Sequence, residues 1–323
     1  MEKAILLVLG AALFTLPMAM QFLSAEDRGR RGREERLHLA QQFVRRQLDP
    51  VLRVGGPGAW DDGSLSCFTI LKDDNRFYLW YGGRMKGKPT NIGLATSSDG
   101  ILWTKSEANP LFPGGMPYVV KVGNLFYMYY NRRGPLALAT SSDGVKWKHR
   151  KVPVLRGSIM DPCVLVDEGK FYLWYCGDVN KAYRVCMATS DDGVNWTKVS
   201  EPVLPLGKKS EFDEFFHAGP VVLKIGEMYY MWFLGNGYAG TKHRVWRLGF
   251  ATSADGFTWK KSKANPILDV GAPGSWDDGS FMSVDVLFIG GRFHLWYAGI
   301  KKEDVAKEEK DMTIEIGYAV SES

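Results

Sequence analysis

The chain has 323 residues, enough for one large β domain or two ordinary ones, and a net charge of +5 at neutral pH. Residues 1–48 hold eight Lys/Arg against five Asp/Glu, so the rest is nearly neutral and offers no electrostatic case for nucleic-acid binding. Abundant Gly, Trp, Tyr and Phe in short alternating runs favour an all-β fold over helical packing.

At the N-terminus, Ala4 to Leu23 is apolar apart from Thr15, Pro17 and Gln21. Residues 1–25 read either as a signal peptide ending near Ser24-Ala25 or as an uncleaved membrane anchor through residues 4–23. Export leads, which predicts a secreted or periplasmic protein; the anchor reading adds N-terminal membrane association. Arg28, Arg30, Arg31, Arg33 and Arg36 follow, and in an anchored protein this bias holds the downstream flank in the cytoplasm. Residues 26–48 are expected to form a charged, partly helical stalk.

Beyond the stalk the chain repeats. Ser-x-Asp-Gly-x-x-Trp occurs four times behind an Ala-Thr-Ser run, with its Asp at 99, 143, 192 and 255 and its Trp at 103, 147, 196 and 259. Repeats of this length, rich in hairpin signals, are the signature of propeller blades. The motif does local work: Asp accepts from its own turn, Gly takes a positive φ, and Trp pins the next strand. Its Asps are therefore structural.

A second repeat sets the blade number. Asp49-Pro-Val-Leu to Trp60-Asp-Asp-Gly-Ser64 returns 216 residues later as Asn265-Pro-Ile-Leu to Trp276-Asp-Asp-Gly-Ser280. Four steps of about 54 residues fill that interval. Innermost strands are expected at Leu65–Leu71, Tyr118–Val122, Cys163–Val166, Pro220–Ile225 and Phe281–Ile289, each followed by an aromatic second strand such as Phe77–Tyr81. The third strands end in Ala-Thr-Ser. The fifth unit stops at Ser323 before its turn and fourth strand, so Asp49-Pro-Val-Leu52 is expected to supply that strand. The predicted architecture is one five-bladed β-propeller over 49–323, closed by an N-terminal strand.

The blade pattern Trp-Tyr-x-Gly, Gly-x-Ala-Thr-Ser-x-Asp-Gly-x-x-Trp, with Asp-Pro opening an inner strand, resembles the arabinanase/levansucrase/invertase superfamily. These are five-bladed glycoside hydrolases that include families 43, 32, 62 and 130. The resemblance covers nearly all of the chain after residue 48. It implies a carbohydrate substrate and a site at the axial end where the inner strands begin.

Lead-ins to the inner strands carry Asp61 and Asp62, Met116, Asp161, Glu211, Asp213, Glu214 and His217, and Asp277 and Asp278. Glycoside hydrolysis needs two carboxyl groups, about 5–5.5 Å apart for retention and roughly 6.5–9.5 Å for inversion. Asp161, Asp62, Asp278, Glu214 and His217 are the catalytic candidates, with Asp61 and Asp277 as substrate-binding partners. A plain turn that introduces a strand explains each Trp-Asp-Asp-Gly-Ser equally well. By the resemblance, Asp161 of Asp161-Pro162 is the transition-state-stabilising or pKa-tuning carboxylate.

The chain departs from the family at the general acid. Family 43 shows Glu-Gly-Pro where this sequence has Ala218-Gly219-Pro220, and the invertase-type Glu-Cys and Trp-x-Asn-Asp-Pro motifs are missing. Three readings therefore stand: a glycosidase using Glu214 or His217 as acid, a non-catalytic carbohydrate-binding or protein-interaction propeller, and a phosphate-dependent phosphorylase. Arg132, Arg133, Arg184 and Arg244 lie on the expected rim hairpins and are candidates for anionic or sugar contacts, as Trp246 and Tyr183 are for stacking. No cofactor is called for. Cys67, Cys163, Cys176 and Cys186 lack metal-site spacing, so no metal is expected either. Cys176 and Cys186 should sit on adjacent strands of one hairpin, as a bridge outside the cytosol or, preferably, as buried thiols.

Overall fold

The computed structural model describes residues 25–132, 134–238, 244–308 and 311–322. The chain divides into two units, residues 1–37 and 38–323. A helix spans Ala25–Leu39 and falls mostly in the first unit. It is dominated by Arg and Glu and carries no continuous apolar stripe. The expected signal or anchor, residues 1–25, lies outside the described residues except for Ala25. No helix of the described residues is long and apolar enough to cross a membrane.

The second unit is an all-β propeller. Its described residues form five antiparallel sheets, each running inner, second, third and outer strand. The inner strands are Ser64–Asp73, Gly115–Val122, Ile159–Asp167, Phe216–Ile225 and Ser280–Ile289, which define blades 1 to 5. The second strands bury one large ring each at a common register position: Trp80, Tyr129, Trp174, Trp232 and Trp296, all fully buried. Each removes on the order of 150–250 Å² from water.

Those five rings also clasp neighbouring blades together. Trp80 Nε1 donates to the Gly144 carbonyl at 2.9 Å, Tyr129 Oη to Gly193 at 2.9 Å, Trp174 Nε1 to Gly256 at 3.0 Å and Trp296 Nε1 to Gly100 at 2.7 Å. Every acceptor is the Gly of a Ser-x-Asp-Gly turn in the next blade. The turn is rigid because Ser and Asp side chains satisfy its backbone. In the second copy Gly144 N donates to Ser141 Oγ at 2.8 Å, and Val145 N and Lys146 N donate to Asp143 Oδ1 at 2.9 and 2.8 Å. These bonds hold the Asp143 carboxyl below its usual range. Gly144 itself sits at φ 73, with the Trp80 ring 3.0 Å from where a Cβ would stand.

At blade 5 the segment Ala40 to Arg45 takes the place of this turn and of the outer strand. Trp232 Nε1 donates to the carbonyl of Ala40 at 2.9 Å. Three residues on, Phe43–Arg45 forms the outer strand of blade 5, pairing Phe43 with Ser321 and Arg45 with Ala319. The expected closing strand, Asp49–Leu52, therefore needs correction. Leu52 makes only an isolated bridge to Ile316, as Leu155 and Leu268 do with Leu136 and Leu248 in blades 2 and 4. Outer strands end four or five residues before the Pro of this segment in every blade, where they pair with Ala-Thr of the third strand in blades 1 to 4 and with Ala319-Val320 in blade 5. Part of the presumed stalk is thus blade.

All four cysteines are free and buried. Cys176 pairs with Val185 and Cys186 with Tyr175, so the two thiols occupy successive register positions and face opposite sides of the sheet.

The clasp is expected to dominate stability. Trp80→Phe removes the donor that crosses the blade boundary, while Trp147 Nε1 still serves the Gly144 carbonyl at 3.1 Å, and the lost bond should cost about 0.5–1.5 kcal/mol in urea denaturation. Deleting residues 1–37 should leave the melting transition of the propeller nearly unchanged. Extending the deletion through Arg45, which removes the Ala40 acceptor and an outer strand, should lower it by well over 10 °C, on the order expected for several kcal/mol lost.

Candidate functional site

All five inner strands carry an irregularity within one residue of the same register point, just after residue 65, 115, 160, 218 or 281. Such bulges turn a side chain away from the ladder. In blades 1 to 4 they deliver Cys67, Met116, Asp161 and Gly219 to one axial recess of about 20 Å³, to which blade 5 adds Ser283 from its ladder; the residue that follows each also lines it. Met116, Asp161 and Gly219 hold positive φ values of 52, 46 and 52. For Met and Asp that conformation costs about 1–2 kcal/mol and persists where the surroundings impose it.

Asp161 is the carboxylate of the recess. It is half-buried; Cys67 Sγ donates to Oδ1 at 3.2 Å and Gly219 N donates to Oδ2 at 3.3 Å. Blades 1 and 4 thus hold a side chain that blade 3 presents. Two residues deeper on the same register, Thr69, Tyr118, Cys163, Val221 and Asp285 form a second layer. Tyr118 and Cys163 bond at 3.3 Å, and Ile70 N and Val286 N donate to the two oxygens of Asp285 at 2.6 and 2.8 Å. Burial drives the Asp285 carboxyl up to about 7 against the pull of those bonds.

The remaining carboxylates of the lead-ins serve the rim. In blade 1, Trp60 lies flat on Gly83 and Gly93; a Cβ on either would stand 2.7 or 2.6 Å from the indole. Asp61 beneath it accepts from Tyr81 Oη at 3.0 Å and pairs with Lys105 Nζ at 2.6 Å on the outer strand. Blade 5 repeats the arrangement with Trp276 on Gly299 and Gly317, and Asp277 between Tyr297 and Arg45 at 3.0 and 2.8 Å. Blade 4 uses Phe212 on Gly235 and Gly249, with Asp213 between His217 at 2.9 Å and Lys261 at 2.7 Å.

Asp61 and Asp277 are accordingly buried in these locks, 1% and 2% exposed, and do not line the recess. Asp62 and Asp278 cap the adjoining turns, accepting from Gly58 N and Gly274 N at 2.8 Å. Glu214 accepts from Ser210 N. His217 is fully buried; burial lowers its pKa while Asp213 opposes the shift, and its Nδ1 has no partner among the described residues. The bulges therefore bring Asp161, of the five catalytic candidates, to the axial recess.

Blades 2 and 3 have short lead-ins and no aromatic lid. By register Arg132 holds in blade 2 the place of Gly83, Gly235 and Gly299. Pro89, Thr90, Pro113 to Met116, Asn131 and Arg132 line a cleft of about 480 Å³ there, and Met116 belongs both to it and to the axial recess. Arg132 is exposed. Beneath it Tyr130 Oη meets His149 Nδ1 at 3.0 Å, and burial followed by the Arg132 charge keeps His149 below its ordinary pKa. Arg184 on blade 3 has a buried Nε without a partner among the described residues. Arg244 lies over the rings of Phe215 and Phe216. Arg133 falls outside the described residues. Sequence reasoning missed Cys67, Thr90 and Asn131; aligning the inner strands on the second-strand Trp would have placed Cys67 opposite Asp161.

No family model and no curated protein matches this chain. Solved structures do. An N-acetylgalactosamine deacetylase from F. plautii, in complex with blood group B trisaccharide, is similar over 87% of this chain and 95% of its own, with 20% identity and TM-score 0.65. A glycosyl hydrolase from Bacteroides ovatus matches 86% of this chain and 92% of its own, with 18% identity and TM-score 0.68. A structure from the GH130 family of mannoside phosphorylases, which contains glycoside hydrolases targeting β-1,2 mannosidic linkages in Candida mannan, matches 86% and 93%, with 18% identity and TM-score 0.67. What they share with this chain is the fold.

Chemically, the recess offers one carboxylate with a thiol donor and a backbone donor, and the cleft that shares Met116 with it presents a guanidinium, an amide and a hydroxyl. Such a set orients a polyhydroxylated ligand by hydrogen bonds. Asp285 below it makes a distinct prediction. Its folded pKa lies above the unfolded value, so folding favours the protonated form, and stability falls as pH rises from about 4 to about 7. Asp285→Thr, which installs the residue of blade 1, should flatten this part of the stability curve and raise the melting temperature more at pH 8 than at pH 5.

Proposed function

We propose that this protein recognises a glycan at the axial recess and the cleft over blade 2, with Asp161 as the carboxylate facing the sugar. The observation that carries this reading is the convergence of the five inner strands on the recess that Asp161 lines. A non-glycine residue is held there at φ 46 and is bonded from blades 1 and 4. Strain concentrated on one polar side chain in a concave, solvent-open site supports a ligand-binding role. The structural neighbours add weight: one binds a trisaccharide and another comes from a family acting on mannosides.

Between hydrolysis and recognition, the recess supports recognition. Two carboxyl groups are required to cleave a glycosidic bond by the retaining or inverting route. Asp161 is the only carboxylate lining the recess among the described residues, and Ala218 stands where the family-like Glu-Gly-Pro has its acid. Asp62, Asp278 and Glu214 are bonded to lead-in backbone, and Asp213 to His217 and Lys261. The phosphorylase reading rests on Arg132, Arg184 and Arg244, which lie on the rims of blades 2, 3 and 4.

Asp161→Asn keeps the size of the side chain and the acceptor for Gly219 N, and should weaken glycan binding at least tenfold on an array of plant, fungal and host glycans. The wild type should release no reducing sugar from the same glycans, with or without phosphate. Turnover that survives Asp161→Asn would remove that residue from the site; turnover lost in Asp161→Asn would restore the hydrolase reading.

A further inference from the structure

The lead-in of blade 4 departs from those of blades 1 and 5 in one respect that the fold does not require. Gly63, Phe215 and Gly279 make the same backbone bond, their N–H donating to Arg84, Asn236 and Ile300 carbonyls at 3.0, 3.1 and 2.9 Å. In blades 1 and 5 the rim hairpin crowds this position: a Cβ on Gly63 or Gly279 would stand 2.5 or 2.6 Å from backbone atoms. Blade 4 instead admits a phenyl ring there, and the next position, Ser64 or Ser280 in its sisters, is Phe216.

These two rings nucleate a cluster. Phe215 and Phe216 are 6.4 Å apart; Tyr238 meets Phe215 edge-on at 5.5 Å, Tyr183 meets Phe216 at 5.6 Å, and Trp246 stacks on Phe216 at 6.5 Å. Tyr183 and Tyr238 are 41% and 43% exposed, while Phe215, Phe216 and Trp246 are half-buried. Arg244 lies over Phe215 and Phe216 with its guanidinium carbon 5.2 and 5.5 Å from the ring centres. It is exposed and makes no ion pair among the described residues. A contiguous aromatic patch open to water costs solubility, and its retention marks a binding surface.

We propose that this cluster is a second carbohydrate subsite, which stacks the apolar face of a sugar ring and lets Arg244 bond its hydroxyl or carboxylate groups. The proposal rests on the glycan reading of the axial recess and extends it. Phe216 lies three residues before Gly219, whose N–H holds Asp161, so subsite and recess sit on one strand roughly 10 Å apart. A monosaccharide cannot touch both. The ligand class is therefore an oligosaccharide, with one residue over Asp161 and a later one on blade 4. Aromatic faces present CH-binding π surfaces at low entropic cost, while the guanidinium edge adds direction.

The test measures affinity of the intact chain for mono- to pentasaccharides of the gluco, manno, xylo, arabino and oligogalacturonide series by calorimetry. Wild type should gain at least tenfold in affinity once the chain is long enough to reach blade 4. Tyr183→Ala, Arg244→Ala and Trp246→Ala should erase that gain and leave monosaccharide affinity unchanged, and Trp246→Phe should retain most of it. Tyr183 and Arg244 are surface residues, so their variants report even if Trp246→Ala unfolds. Equal affinity for all lengths, or variants that weaken mono- and oligosaccharides alike, overturns the subsite while the axial reading stands. A wild type that binds none of the series sinks both.

Discussion

One hydrogen bond, repeated around the ring, holds the rest of this molecule in place. A buried indole or phenol in the second strand of each blade donates to the backbone carbonyl of the next blade. Four acceptors are glycines of Ser-x-Asp-Gly turns, which take a positive φ and lack the Cβ that the ring would strike. The fifth is Ala40. Because a propeller ring has no redundancy, closure at Ala40 and Phe43–Arg45 is as necessary as any blade. Closure ties the segment just after the charged helix to the last strand of the chain.

The clasp fixes the blades, and the lead-in loops shape what they surround. Three of the five carry an aromatic ring on a pair of glycines above a buried Asp, which an outer-strand cation neutralises. Lys105, Lys261 and Arg45 occupy equivalent outer-strand positions, so the same physical solution recurs at each place where a long loop must be pinned. A buried carboxylate is tolerated only with such partners. Blades 2 and 3 omit the lock, and Met116 of blade 2 lines both the axial recess and the cleft beside it. Asymmetry in a repeated fold thus comes from which repeats lack the lid.

Much of the architecture was legible in the sequence because its signals are local. Asp-Gly turns, alternating strands and the 216-residue duplication all report on interactions within one blade or between neighbours of fixed spacing. The inner and second strands fell where alternation placed them. Closure was misplaced by one segment because Asp49-Pro-Val-Leu52 shares its motif with the bridges that follow outer strands, and the strand Phe43–Arg45 is too short to show a period. Cys67 escaped notice because a bulge, which has no sequence signature of its own, turns it toward Asp161.

By itself, then, the sequence determined the blade count, the strands, the turn chemistry and the set of acidic side chains near one end of the axis. It did not tell which of those acids are buried as structural anchors. Asp61 and Asp277 read as substrate-binding partners of Asp161 and Asp213 as a further acid of a lead-in, since each precedes an inner strand. Only the tertiary structure separated them, because the partners that neutralise Asp61, Asp213 and Asp277 lie 44, 48 and 232 residues away, on outer strands. Asp161 instead meets Cys67 and Gly219 from two other blades in a recess open to water. Whether a carboxylate is a structural anchor or a ligand group depends on what burial and distant charges do to it, and chain order carries neither.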